Sequence, residues 1–350
     1  MRMEKSYFVA SRVMSRRCVF RNRNSREYLR RALLCFALVC ALILTVSCGG
    51  NKSDGDSDAT GTADFNTNTP GAEAPGTDTE NAAANLSLSP LEYPRVDGST
   101  LTIPFSEAVA TAVLHLPQDE ARLYVMHNKT HQAYLNLIDG VADIIFVTPP
   151  SEDELAYAKE KGVVLNVIPM LRDGFVFFVN EKNPVSDLSR DEIVGVYSGK
   201  IKNWSEIGGG DAEIIAYQRP ENSGSQTGMI ELVMKDTPLA PAPQEKVFAE
   251  MGGIVDAVAY YENAAEAIGY SYYYYTRNMW GDGQIKYMKI DGVAPSEESI
   301  EDDSYPYASI TYMVLRQDEP EGSAASRLSE WILSDEGQAV AKGAGYVPIR

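Results

Sequence analysis

An α/β fold is predicted for residues 91–350 of this 350-residue chain, and three observations carry the prediction. Short apolar runs rich in β-branched and aromatic residues punctuate this part of the sequence. Helical patterns fill the intervals between them. The composition, 44% hydrophobic and 23% charged, is that of a folded chain rather than a disordered or fibrous one. The runs at 143–148 (DIIFVT), 163–170, 175–180, 213–217, 267–274 and 309–315 read as buried strands. Helical patterns occupy 105–114, 131–138, 152–161, 190–197, 228–234, 253–263 and 325–341. Strands alternating with helices imply parallel sheets with both faces covered. The segment is long enough for two lobes of about 130 residues each, and it contains no internal repeat.

The first ninety residues read differently. Residues 1–47 hold ten Arg or Lys against Glu4 and Glu27, whereas the rest of the chain carries 21 basic and 47 acidic residues. The overall net charge of −18 argues against a nucleic-acid partner, which needs basic surface to displace counterions. After Arg30 and Arg31 come fifteen nearly uniformly apolar residues, 32–46 (ALLCFALVCALILTV). As a helix they would rise only about 22 Å, short of the ~30 Å hydrocarbon layer, so an export signal fits better than a transmembrane anchor. The four cysteines are Cys18, Cys35, Cys40 and Cys48. Removal of residues 1–47 would leave Cys48 alone, and with it no disulfide, thiolate metal site or cysteine nucleophile. Residues 51–90 are dominated by Gly, Pro, Ser, Thr, Asn and acids, with Phe65, Leu86 and Leu88 the only large apolar side chains. Such a stretch cannot bury enough surface to offset its conformational entropy and is expected to be a disordered tether.

The obvious catalytic patterns fail on inspection. His127 and His131 are four apart, but a metal pair would need one continuous helix across Asn128-Lys129-Thr130, which reads as a strand-to-helix junction. Gly195 to Ile201 (GVYSGKI) is one residue short of a P-loop and has Ile where a hydroxyl must hold magnesium. Gly224-Ser225-Gln226-Thr227-Gly228 has no serine in the middle of a G-x-S-x-G frame. Three Ser/Thr clusters do stand out where a strand or loop gives way to a helix: Gly98-Ser99-Thr100-Leu101, Lys129-Thr130-His131, and Arg219 to Ser225 (RPENSGS). Helix N-termini offer unpaired N–H groups and partial positive charge to an anion; hydroxyls add neutral donors, Gly224 permits close approach, and Arg219 supplies a charged fork. Each cluster taken alone is equally an ordinary N-cap. Together they point to an oxyanion pocket.

Seven segments then occur in a familiar order: YPRVDGSTLTIPFSEAV, ADIIFVTPPSEDEL, VYSGKIKNWSEIGG, QRPENSGSQT, EAIGYSYYYY, YPYASITYMVL and SDEGQAVAKGAGYVPI. Over nearly all of 91–350 the chain resembles the phosphate-binding proteins of ABC transporters, the PstS-like branch of the type II periplasmic binding-protein fold. The resemblance implies two lobes, about 91–172 with 277–350 and about 173–276, joined by a two-segment hinge over a ligand cleft. It implies anion contacts from Ser99, Thr100 and Leu101 in the first loop, from Thr130 at a helix start, and from Arg219, Ser223, Gly224 and Ser225, with Glu221 as the acid that orients the arginine. Thr148 falls where phosphate-specific members have an aspartate. A buried carboxylate accepts the proton of monohydrogen phosphate and repels an anion that has none. Thr148 can donate as well as accept and would tolerate a fully ionised oxyanion, unless Asp97 or Asp143 supplies the carboxylate.

The Leu44–Cys48 segment (LTVSC) resembles a bacterial lipobox, which implies lipidation of Cys48, a tether over 48–90 and a membrane-anchored, extracytoplasmic monomer. The expected partners are phosphate or a related oxyanion and a membrane permease; no cofactor, metal or catalytic step is expected. A sensor or adhesion lipoprotein that kept the fold is the alternative, with a phosphatase behind it. Tyr260, Tyr261, Tyr270 and Tyr272 to Tyr275 could form a stacking platform for a sugar, but a strand placing alternate rings in the core accounts for most of them.

Overall fold

The structure, a computed structural model, describes residues 86–281 and 283–350. The expected signal segment, Cys48 and most of the expected tether lie outside the described residues. The last part of that tether does not behave as one. Leu86 packs against the core, and Leu88 is 4% exposed with its N–H donating to the Val113 carbonyl at 3.1 Å. The folded part therefore includes residues 86–90. Leu88→Ala is expected to lower unfolding stability by about 2 kcal/mol, the low end for a buried leucine, as read by chemical denaturation.

Among the described residues the strands run in order β1 (Val96–Gly98), β2 (Ile144–Val147), β3 (Leu165–Asn180), β4 (Asp187–Leu188), β5 (Ile215–Ala216), β6 (Ala267–Tyr272), β7 (Ile285–Tyr287), β8 (Lys289–Ile290), β9 (Ala308–Arg316) and β10 (Val347–Pro348). The main sheet path is β1-β2-β9-β3-β6-β5, with β10 and β7 also on β3. The predicted strands at 163–170 and 175–180 are one sixteen-residue strand. A register shift between Pro169 and Leu171 bends it where proline cannot donate to the ladder. β3 runs through both lobes. Leu165 to Gly174 pair with β9, and Phe175 to Val179 pair with β6.

That shared spine corrects two expectations. The sheets are mixed rather than parallel: β1 with β2 and β5 with β6 are parallel, while β2 with β9, β3 with β9 and β3 with β6 are antiparallel. Crossover strands that pass between lobes in opposite directions pair antiparallel, which strand–helix alternation alone does not reveal. The second lobe also extends past residue 276. β7 pairs with Phe178 to Asn180, and β8 pairs with β4, so the chain returns to the first lobe only after Ile290.

Most helices fall where periodicity places them, including Glu152–Lys161 and Arg190–Tyr197, each closed by a capping box from Ser151 with Glu154 and Ser189 with Glu192. The 325–341 pattern is two helices, Ala324–Ile332 and Asp335–Gly343. Ser334 caps the second, and the chain turns so sharply there that a Cβ on Gly337 would lie 2.2 Å from the Trp331 carbonyl oxygen. The 228–234 helix begins earlier, as an α-turn at Gly224–Gly228 that widens to π geometry over Met229–Met234. Among the described residues no helix is long and apolar enough to cross a membrane.

Candidate functional site

The cleft sits where the ends of β1 and β2 meet the helix that starts at Gly224. Its cavity is about 190 Å³ and is lined from the first lobe by Ser99, Thr100, Leu101, Lys129, Thr130, His131 and Thr148. The second lobe contributes Arg219 to Gly224, Ala249, Glu250, Met251 and Tyr272. Such a volume is small beside the ~300–1,000 Å³ of pockets for drug-sized ligands, so it suits a compact ion rather than a sugar. Every predicted site residue lines it except Ser225, which is buried behind Gly224 with its hydroxyl unpartnered.

The helix starts decide between cap and ligand site. Ser99 precedes the 3-10 turn Thr100–Thr102 and makes no side-chain cap. Asn128 precedes the helix Lys129–Ile138 and makes none either; its Nδ2 donates to Asp97 Oδ2 at 2.9 Å. The first N–H groups of both elements therefore lack the side-chain acceptors that close Glu152–Lys161 and Arg190–Tyr197. Ser223 is different: its Oγ accepts from Gln226 N at 3.3 Å and is an ordinary N-cap. Its hydroxyl proton stays free for the cavity.

Arg219 dominates the electrostatics. It is 6% exposed, and no carboxylate among the described residues lies within ion-pair distance of it. Burial pulls its guanidinium below the ordinary value, yet an arginine keeps its charge in a protein. Nη2 donates to the Ala249 carbonyl at 3.2 Å, while Nε and Nη1 are buried without a partner. Its backbone N–H donates to Gln226 Oε1 at 3.1 Å and to Tyr270 Oη at 3.0 Å. Glu221, expected to orient the guanidinium, is exposed at the cavity mouth and makes no bond to it. The Ala249 carbonyl takes that part, and a carbonyl leaves the positive charge uncancelled.

Opposite Arg219 stands Thr148, 1% exposed with its Oγ1 unpartnered. The lobes touch here. A Cβ on Gly224 would lie 2.3 Å from Thr148 Oγ1 and 2.5 Å from Thr130 Oγ1. Two polar contacts flank this seam: Asn222 Nδ2 donates to Asp153 Oδ2 at 2.8 Å, and Lys129 Nζ reaches Glu250 Oε1 at 2.6 Å.

The sequence places Lys129 and His131 beside Thr130 in a hydroxyl cluster and offers Tyr270 and Tyr272 as a stacking platform, but it assigns an anion contact to none of them, nor to the 249–251 segment. The tyrosine rings do pack as expected, with Tyr270 and Tyr272 inside a cluster with Phe175, Phe177 and Tyr197. Their hydroxyls nonetheless reach the site, Tyr270 onto Gln226 and Tyr272 onto the Gly224 carbonyl at 3.2 Å. Burial raises both phenols well above the ordinary range and keeps them neutral donors. His127 precedes its helix and pairs with Ser106 Oγ at 2.6 Å, so it forms no pair with His131.

Residues 70–336 match the model of the PBP superfamily domain. The chain belongs to that superfamily. The individual relatives include phosphate-binding proteins. A protein named phosphate-binding protein PstS from Bacillus subtilis (strain 168) is 27% identical over 176 residues, half of this chain and 55% of that protein. The chain thus spans little more than half of that relative's length in the alignment. A phosphate ABC transporter substrate-binding protein from Clostridium perfringens, solved with bound phosphate, superimposes with a TM-score of 0.58 at 26% identity. That match covers 73% of this chain and 98% of the other. An ABC-type phosphate transport receptor from Vibrio cholerae shares the fold with a TM-score of 0.54 at 21% identity, over 72% and 98% of the two chains.

Proposed function

We propose that this PstS-like chain is an extracytoplasmic solute-binding protein that captures phosphate between its lobes and delivers it to an ABC transporter permease. The observation that carries the proposal is Arg219, a buried cation with two free N–H groups and no carboxylate against it. A buried charge is expensive unless an opposite charge meets it. An oxyanion seated between Arg219 and Thr148 would accept from Nε and Nη1, from the Thr148 and Ser223 hydroxyls, and from the uncapped N–H groups at Thr100 and Thr130. It would bridge the lobes, so binding and closure are one event.

The relatives' names support phosphate as the ligand and a permease as the recipient. The reading assigns the chain no catalytic step. Lipidation of Cys48 and a tether through residue 85 complete the proposal and rest on the sequence alone. Calorimetric titration of the purified chain, freed of carried-over anion by unfolding and refolding, tests it. Phosphate should bind stoichiometrically and raise the melting temperature, as a ligand confined to the folded state must. Absence of heat and of any thermal shift with phosphate would remove the assignment.

A further inference from the structure

Taking the cavity as the anion site proposed above, we infer that His131, its tautomer held by buried Glu154, accepts the proton of a bound protonated oxyanion and sets a pH-dependent preference for phosphate over sulfate. Such a group matters because, among the described residues, no buried carboxylate lines the cavity. Of the acids in its wall, Glu221 is exposed, and Glu250 is exposed and paired with Lys129. Asp97, a candidate on sequence, is fully buried but filled. Its Oδ1 accepts from Gly98 N at 2.7 Å and Asn128 N at 2.9 Å, its Oδ2 from Asn128 Nδ2 at 2.9 Å and Asn136 Nδ2 at 2.6 Å. Asp143 lies outside the wall and is taken by Arg95, whose backbone N–H donates at 2.8 Å and Nε at 3.0 Å.

His131 does line the wall, and its Nδ1 lies 3.0 Å from Glu154 Oε1. Glu154 is wholly buried, with Oε2 accepting from Ser151 N at 2.8 Å. An ionised carboxylate only accepts, so Nδ1 carries the hydrogen. In the neutral ring the lone pair is then on Nε2, the nitrogen that Glu154 does not engage. That lone pair accepts a P–OH hydrogen and repels an oxyanion that has none. Once protonated, Nε2 donates to either anion and the discrimination ends. The charges around the ring oppose one another. Glu154, from the helix Glu152–Lys161, faces Nδ1, and burial raises its own carboxyl. Lys129 on the same helix as His131 and Arg219 in the second-lobe wall carry positive charge, while Glu221 and Glu250 at the mouth and Glu231 near Glu154 carry negative charge.

The test is titration of the full chain with sulfate and with phosphate between about pH 5.5 and 8.5, the range in which an imidazole changes charge. Sulfate carries no proton there, so its affinity reports the ring alone. It should fall about ten-fold as pH rises, while the phosphate-to-sulfate ratio climbs by a similar factor. In His131→Gln, at a half-exposed position that tolerates replacement, sulfate affinity should be independent of pH and the ratio at high pH should drop about ten-fold. Glu154→Gln keeps the N3 capping position while removing the charge that faces Nδ1, so the sulfate transition should move to lower pH. A merely structural role for Glu154 would not move that midpoint. Phosphate binding that persists with a flat sulfate profile in the parent, or with the same sloping profile in His131→Gln, overturns the inference and leaves the cavity assignment standing. Failure of the parent to bind either anion at any pH overturns both.

Discussion

Replacing Arg219 with methionine should abolish phosphate binding, weakening it by about a thousand-fold or more, without lowering the stability of the ligand-free chain. Two hydrogen bonds from a charged group contribute about 1.5–3 kcal/mol each, and three powers of ten in affinity correspond to about 4 kcal/mol. The ligand-free expectation runs opposite to intuition. Arg219 is buried, its one side-chain bond among the described residues is to the Ala249 carbonyl, and no carboxylate among them lies within ion-pair distance, Glu250 acting only from farther off. Methionine of similar length would remove that uncompensated charge and fill the space, a change that is neutral or stabilising for buried ions. Melting temperatures with and without phosphate check both halves. Retention of binding within ten-fold would move the anion elsewhere. A sharp loss of ligand-free stability would make Arg219 a structural strut.

Gly224→Ala should weaken phosphate binding about a hundred-fold by blocking closure rather than by removing any ligand contact. The backbone there is the first turn of a helix, where alanine is preferred to glycine, so the lobe itself should not suffer. The added Cβ meets Thr148 Oγ1 at 2.3 Å and Thr130 Oγ1 at 2.5 Å, both from the opposite lobe and both buried. The closed state, in which alone an anion touches both lobes, then becomes unreachable without a shift. Small-angle scattering should show the parent contracting when phosphate is added and the variant failing to contract. Parent-like contraction with parent-like affinity would show that the seam has slack.

The parts of the site written as short contiguous motifs were legible in the sequence: Ser99 to Leu101, Thr130, and Arg219 with Ser223 and Gly224 line one cavity, while Ser225 lies outside its wall. What stayed hidden depends on tertiary placement. Glu221 is two residues from Arg219 yet turns to solvent, while the carbonyl that holds the guanidinium comes from Ala249, thirty residues away. Tyr270 and Tyr272 read as core residues and are, but a buried phenol also carries a hydroxyl that must find a partner: Tyr270 meets Gln226, which accepts from the Arg219 N–H, and Tyr272 meets the Gly224 carbonyl. In the fold, local periodicity located helices such as Arg190–Tyr197 to the residue. It had no means of showing that β3 spans both lobes, because a crossover strand is defined by what pairs with each half. Leu86 and Leu88 were absorbed into a polar stretch by composition, though two leucines at a two-residue spacing can dock an extended segment.

The central claim, that the anion sits between Arg219 and Thr148 and holds the lobes together, is tested most directly by diffraction from crystals of the chain grown with phosphate. The account predicts a tetrahedral density peak in the cavity within hydrogen-bond reach of Arg219 Nε and Nη1 and of Thr148 Oγ1, with the Thr100 and Thr130 helix starts completing its shell. Phosphate bound elsewhere on the molecule, with Arg219 Nε and Nη1 still unpartnered, would contradict it.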